Sequence, residues 1–222
     1  MPRDARRVNE SNDFDEVVRS ARAQRRLRRD PIPDEAIESM LRAASYAPSG
    51  MNSQPWRFVV VRDAELREAI GNLYASAWQI GRQAYDARPA RSRAEARMLE
   101  NVDYLAEHFG EAPVIVAACL DRRRLDVMVD AKLEWRDPVP VLASVLPAVQ
   151  NLILAARAHG VGTVLTTLHR LRHEELRGLL GIPATVEVVA LLPLGYPEEP
   201  FRPLARPPVA AFAARDRWDG AW

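Results

Sequence analysis

"SYAPSGMNSQPWRFVVV", residues 45–61, joins two apolar elements through a turn of unusual composition. Pro48 stops a helix, because a proline pushes the residue before it out of the α region. Seven small, polar or Pro/Met residues follow. Trp56, Phe58, Val59, Val60 and Val61 then resume a buried pattern and read as a strand over 56–61. Between the two stand Ser49, Gly50, Asn52, Ser53 and Gln54. Asn and Gly suit a turn, but Gln54 ahead of Pro-Trp adds nothing that a turn needs. Hydroxyls, amides and loose backbone N–H groups together suit a flat polar ligand with donors and acceptors on its edge.

Working outward, Phe14, Val17, Val18 and Ala21 recur at helical spacing. They predict an amphipathic helix from Asp13 that runs into RAQRRLRRD and breaks at Pro31-Ile32-Pro33. Asp34 is an N-cap candidate for a second helix with Ile37, Met40, Leu41 and Ala44 on its apolar face. Beyond the strand, Asp63 caps a third helix carrying Leu66, Ile70 and Leu73. A weaker helical pattern over 75–109 is divided at Pro89. "PVIVAACL" (113–120) reads as a strand, followed by a charged loop to Pro138. Residues 139–159 form a long helix, apolar nearly all round, which suits a core centre or an oligomer interface. "VGTVLTT" (161–167) is strand-like, 172–180 is a short helix, and "TVEVVALLPLGYP" (185–197) is a buried strand. Strands joined by helical segments suggest a central sheet with helices packed on it.

The chain has 222 residues, a net charge of +1 and 48% apolar residues. That is enough for one domain with a substantial core. The expected organisation is a flexible arm over 1–12, one domain over 13–208 and an extension over 209–222. The extension is too apolar for a free tail and is expected against a second subunit. The longest apolar runs fall short of the roughly 20 residues of a membrane span, and no leader pattern is visible. The expectation is a cytoplasmic protein with no membrane partner. The charge balance implies no nucleic-acid partner. Cys119, the single cysteine, reads as a buried small hydrophobe. The four histidines show no metal-ligand spacing, and no GxSxG turn supports Ser-His-Asp chemistry.

Lys132 is the only lysine, so the basic side chains are arginines, which hold anions with a planar fork. Arg19, Arg22, Arg25, Arg26, Arg28 and Arg29 cluster with no acid between Glu16 and Asp30. On a helix, Arg22 would share a face with Arg25 or Arg26 and could clamp a phosphate. A solvated helix end favoured by the helix dipole is the plainer reading. Thr166-Thr167-Leu168-His169 lies at a strand end, a favoured ligand edge in α/β folds, although threonines are also ordinary strand residues. In Phe201-Arg202-Pro203-Leu204-Ala205-Arg206-Pro207 the prolines stiffen a segment that aims two arginines, or that merely forms a surface arm.

Together these pieces resemble the FMN-dependent nitroreductase family. Residues 31–70, with A-P-S-G-x-N-S-Q-P-W as the most specific motif, are similar to its N-terminal signature. Residues 144–169 resemble its long dimer helix and flavin-side strand, and 180–208 its last core strand and C-terminal arm. The resemblance implies an α+β three-layer fold, with a mixed central β-sheet and helices on both faces, in an intertwined homodimer. It implies one FMN at each subunit interface. Pro48, Ser49, Gly50 and Asn52, with Gln54 as a neighbour, would reach a flavin held mainly by the other subunit. The family's R-[RH]-S-x-[RK] motif falls on Ala21-Arg22-Ala23-Gln24-Arg25, where alanines replace the first basic residue and the serine. Arg206 matches the arm's phosphate-reaching arginine, with Arg202 as a weaker candidate. Thr166, Thr167 and Leu168 match the strand end whose backbone faces flavin N5, Thr167 most closely. Arg25 is expected to stabilise the reduced flavin. The implied reaction is ping-pong hydride transfer from NAD(P)H through flavin N5 to nitroaromatics, quinones or similar acceptors, with no catalytic side chain and no metal. Alternatives are a deazaflavin donor, a reductive dehalogenase, or a non-catalytic flavin- or nucleic-acid-binding protein. The dehalogenase type would use lid contacts from Tyr, Glu and Lys; the corresponding middle region holds Tyr104 and several glutamates, but the only lysine, Lys132, lies in the later loop, which counts against this reading.

Overall fold

The computed structural model describes residues 14–125 and 139–222. The expected arm over 1–12, and the part of the charged loop over 126–138 with Lys132, lie outside the described residues. The elements are α1 (Phe14–Ser20), α2 (Asp34–Ser45), β1 (Trp56–Val61), α3 (Ala64–Asp86), α4 (Arg93–His108), β2 (Val114–Asp121), α5 (Val139–Ala158), β3 (Gly162–Thr163), α6 (His173–Leu179) and β4 (Val186–Gly195).

β2 explains the layering. All eight of its residues are buried, and successive side chains of a strand point to opposite faces. Val114, Val116, Ala118 and Leu120 join a cluster with Ile37 and Met40 of α2 and Val149 and Leu152 of α5. Ile115, Ala117 and Cys119 join a second cluster with Ile70 and Tyr74 of α3, Leu105 of α4 and Leu176 of α6. The sheet is therefore covered on both faces, as expected of a three-layer α+β fold. Its strand order is β1-β2-β4-β3. Every ladder among the described residues is antiparallel rather than mixed. Cys119 is buried and free, and burial pushes its thiol up to about 12, which makes it the inert hydrophobe expected.

α3 meets the turn before β2 at unusually close range. A Cβ on Gly71 would lie 2.8 Å from the Gly110 nitrogen. The Arg67 guanidinium donates to the carbonyls of Gly110 (3.0 Å) and Ala112 (2.8 Å) and fixes the same junction.

Four local expectations change. The first helix stops at Ser20, and residues 21–33 are irregular apart from a bridge at Leu27. Five arginines over residues 22–29 with no acid among them disfavour a helix, while the open backbone groups at the ends of β3 and β4 offer partners. Gln24 N–H donates to Thr163 O (2.9 Å) and Arg28 N–H to Tyr196 O (2.8 Å). The strand read over 161–167 contracts to Gly162–Thr163, with an isolated bridge at Thr166↔Leu191. Asp34 does not cap α2; it pairs with Arg62 at 2.7 Å, and Pro33 holds the cap position. In α5, residues Val141–Ala158 are long and apolar enough to cross a membrane by length and composition, contrary to the expectation that no stretch qualifies. Val145, Ala148, Val149, Leu152 and Ala156 of this helix are nevertheless buried in the core.

Two histidines complete the backbone bonding of β4. His169 is fully buried; its Nε2–H donates to Val188 O (3.0 Å) and its Nδ1 has no partner. His173 Nε2 accepts from Val188 N–H (3.3 Å). The His173 contact requires a neutral ring, and burial pushes His169 down to about 4. A base with a depressed folded pKa contributes stability that is complete above the unfolded value and is lost as pH falls toward the folded one. Urea unfolding should therefore show a loss of about 2 kcal/mol between pH 7.5 and 5.0 from His169 alone. His169→Asn should flatten that dependence. An unchanged pH slope in the variant would refute the assignment.

Candidate functional site

A cleft of about 460 Å³ opens where the segment after α1 runs beside α4 and the chain leaving β4. Arg22, Ala23, Gln24, Arg25 and Arg26 line one side, Arg97 and Asn101 a second, and Glu199, Pro200 and Arg202 a third. Gln24 is the buried residue of this segment, 9% exposed, and its N–H is held by Thr163 O. Gly162 permits this contact: a Cβ there would lie 2.9 Å from Gln24 Cβ. Arg97 and Asn101 share a face of α4 at i, i+4, and Asn101 Nδ2 donates to Arg97 O (2.8 Å).

The cleft gathers five arginines against one glutamate. Arg26 stacks its guanidinium 3.8 Å from the Tyr104 ring centroid. Arg22, Arg25, Arg97 and Arg202 form no ion pair among the described residues. Elsewhere Arg29 takes Glu111, Arg62 takes Asp34 and Arg88 takes Glu95, each at 2.7 Å. Partial burial pulls the Arg25 guanidinium below its ordinary value; the Tyr74 phenol opposes this, and the Arg22 charge adds to it. Unpaired guanidinium forks in a half-desolvated cleft suit a multiply charged oxyanion.

Arg25 leads from the cleft to the strand end. Its charge acts on the Tyr74 phenol, and Tyr74 OH lies 2.9 Å from Thr166 Oγ1. Thr166 is tied to Leu191 by both main-chain groups. Thr167 is exposed and precedes the 3-10 turn Leu168–Arg172. Leu168 packs beside Trp78.

The turn over 48–54 is strained. Met51, Asn52 and Gln54 have φ of 55°, 53° and 45°. Asn tolerates this region, but Met and Gln are disfavoured there. Gly50 N–H donates to Ser144 Oγ (3.1 Å), and Gln54 N–H to Ser49 Oγ (3.0 Å). Ser53 Oγ is buried without a partner. Pro48, Gly50, Asn52 and Gln54 are exposed, and none of them lines the arginine cleft. One chain thus brings Arg22, Ala23, Gln24 and Arg25 together, links Arg25 to Thr166, and leaves the turn apart.

The arm places Arg202, not Arg206, in the cleft. Leu27 bridges Pro197 and Glu198 N–H donates to Arg26 O (3.1 Å), which delivers Arg202 beside Arg25. Arg206 lies past the Leu204 N–H bond to Arg19 O and donates to Ala205 O. Arg97, Asn101, Glu199 and Tyr74 escaped the sequence reading. Arg97 and Asn101 carry a weak signal, their shared helical face; Tyr74 sits in an apolar periodicity and reads as core.

Residues 18–196 match the Nitroreductase family. Iodotyrosine deiodinase 1 of Rattus norvegicus is 29% identical over 187 residues, covering 84% of this chain and 63% of that protein. The chain thus spans less than two thirds of that relative's length. NADH dehydrogenase of Thermus thermophilus is 28% identical over 193 residues, 85% of this chain and 88% of that protein. A solved structure of oxidized iodotyrosine deiodinase bound to FMN and 3-iodo-L-tyrosine superposes with a TM-score of 0.69 at 25% identity. It covers 89% of this chain and 96% of the other.

The Gln24–Gly162 contact offers a direct test of how the cleft is held. Gly162→Ala must displace either Gln24 or β3, and an expected destabilisation of about 1–3 kcal/mol follows. Chemical denaturation of the purified variant measures it; wild-type stability would show that the segment is not locked there.

Proposed function

The chain belongs to the nitroreductase family, and we propose that it is an FMN-dependent oxidoreductase acting as a homodimer. It would carry hydride from NAD(P)H to nitroaromatics, quinones or similar electron-poor acceptors. The observation that carries this reading is the cleft of unpaired arginines, linked through Tyr74 to the strand end at Thr166.

The residues fit the cofactor. Arg22, Arg25 and Arg202 offer forks for a phosphate dianion. Gln24 and Asn101 offer amides for the polyol, and Ala23 leaves room beside them. The departures at Ala21 and Ala23 are offset by Arg97 and Arg26 in the same cleft. The backbone of Thr166–Leu168 supplies the edge for the reacting ring. When bound, FMN supplies reversible two-electron chemistry at N5. The chain orients the ring, excludes water and places positive charge where negative charge accumulates; no acid, base or metal is required.

The separated turn supports the homodimer reading. Pro48, Ser49, Gly50, Asn52 and Gln54 expose donors and acceptors away from their own chain's cleft, and a second copy would bring them to it. α5 supports this, since Leu146 is 41% exposed on an otherwise apolar helix.

A deiodinase-like reductive dehalogenation is the second reading, favoured by the similarity to iodotyrosine deiodinases. Tyr104 argues against it as a lid residue, because Arg26 covers its ring and His108 packs on it at 4.2 Å.

An absorption spectrum of the purified protein, before and after anaerobic NADH or NADPH, tests the proposal. A flavin spectrum that bleaches is expected. A flavin that stays oxidised would point to another donor, such as a deazaflavin. A colourless protein that takes up no FMN would overturn the reading in favour of a non-catalytic one. Arg25→Ala should weaken FMN binding roughly tenfold to a hundredfold, the worth of one charged hydrogen bond. Fluorescence titration of the apoprotein reads this directly; unchanged affinity and unchanged flavin potential would remove Arg25 from the site.

A further inference from the structure

Tyr74 is not explained by packing alone. It is 2% exposed, yet it carries a hydroxyl into an apolar cluster. Its ring stacks on Phe109, with centroids 4.1 Å apart and planes 15° apart. The Gly71–Gly110 approach fixes the helix one turn away. The phenol is therefore held rigidly, and Thr166 Oγ1 at 2.9 Å is its only hydrogen-bond partner among the described residues.

The direction of that bond follows from the protons. Burial raises the phenol's pKa, and the opposing influences of Thr166 and Arg25 do not cancel it, so the group is protonated at neutral pH. If Thr166 donated to Tyr74, the phenolic hydrogen would be buried without an acceptor, a costly arrangement. Tyr74 therefore donates and Thr166 Oγ1 accepts. Leu168 N–H also points at Thr166 Oγ1, at 3.4 Å. With both contacts directed into its oxygen, the hydroxyl's own hydrogen is left to point away from them. Thr166 is only half-buried, and both of its main-chain groups are held by Leu191, so the backbone that carries the hydroxyl is fixed.

We propose that Tyr74 is a positioning residue: it makes the Thr166 hydroxyl an oriented donor at the strand end. That donor then favours a ring that gains electron density on reduction. The proposal rests on the FMN reading above. It also explains why a tyrosine occupies a helix position where phenylalanine would pack as well.

The test compares Tyr74→Phe, Thr166→Val and the double variant in the flavin-loaded protein, by FMN titration and by measurement of the midpoint potential. Tyr74→Phe should hold FMN within about threefold of wild type while the reduction equilibrium falls about tenfold. For a two-electron couple that is about 30 mV. Thr166→Val should give the same shift, and the double variant no more than either single one, because both act through one hydroxyl. A wild-type potential in Tyr74→Phe, or additive shifts in the double variant, would overturn the proposal. Should Tyr74→Phe fail to fold, Thr166→Ser decides: it keeps the hydroxyl and should keep the potential that Thr166→Val loses. Equal potentials in those two variants also overturn it. Wild-type protein that binds no FMN would overturn the cofactor reading and this proposal with it. A flavin-loaded protein insensitive to Tyr74→Phe overturns this proposal alone.

Discussion

The backbone pairing of residues 24–28 with the ends of β3 and β4 is the constraint on which the site depends. Gln24 N–H reaches Thr163 O, Arg28 N–H reaches Tyr196 O, and Glu198 N–H reaches Arg26 O. These bonds hold an arginine-rich stretch against the sheet and draw the chain after β4 alongside it. Arg22, Arg25 and Arg202 become neighbours through that pairing, although some 180 residues separate the first from the last. Without it the stretch would be a charged helix end with no reason to meet α4. Gly162 serves the same constraint, since a side chain there would push Gln24 away.

Clustering unpaired cations opposes folding, and this chain does not lack the means to neutralise them. It has 30 acidic residues for 31 basic ones, and it pairs arginines with acids at many other places. Among the described residues other arginines also stand without an ion pair; what sets Arg22, Arg25, Arg97 and Arg202 apart is that they converge on one cleft. Each is an anion-ready fork, and Arg25 is partly desolvated, which strengthens its interaction with any anion that enters. Repulsion of this kind is relieved by binding, so ligand binding and stability are coupled in the same cleft.

The layers of the fold were readable because β2 and β4 are continuous apolar runs and α2, α3 and α5 keep a helical period. β1 and the capping aspartate Asp63 stand where periodicity and capping rules place them. The segment 21–33 was misread as helix because local spacing sees neither like-charge repulsion accumulating nor the open edge that competes for its backbone. β3 shrank because Val164 and Leu165 leave the ladder before Thr166 rejoins it, a break that composition does not encode. At the site, Arg22 and Arg25 were legible in the arginine cluster as a possible phosphate clamp, and Gln24 through the resemblance alone. Arg97, Asn101 and Tyr74 were not, since their role depends on which helix face turns toward a segment distant in sequence.

The turn over Pro48–Gln54 shows what a single chain leaves incomplete. Three non-glycine residues in the left-handed region represent roughly 1–3 kcal/mol each of local strain, and such strain persists only where the surroundings impose it. The imposing contacts are visible: Ser144 Oγ holds Gly50 N–H, and Ser49 Oγ holds Gln54 N–H. The first bond ties the turn to α5 and the second closes it on itself, and none of its residues lines the arginine cleft. A strained, polar, outward-facing turn anchored on the most apolar helix of the chain gains nothing for its own fold. Its geometry makes sense in the proposed homodimer, where α5 packed against an identical helix would bury exposed Leu146 and set each turn against the other copy. Assembly and cofactor retention would then be one equilibrium, and dilution of the protein would release both together.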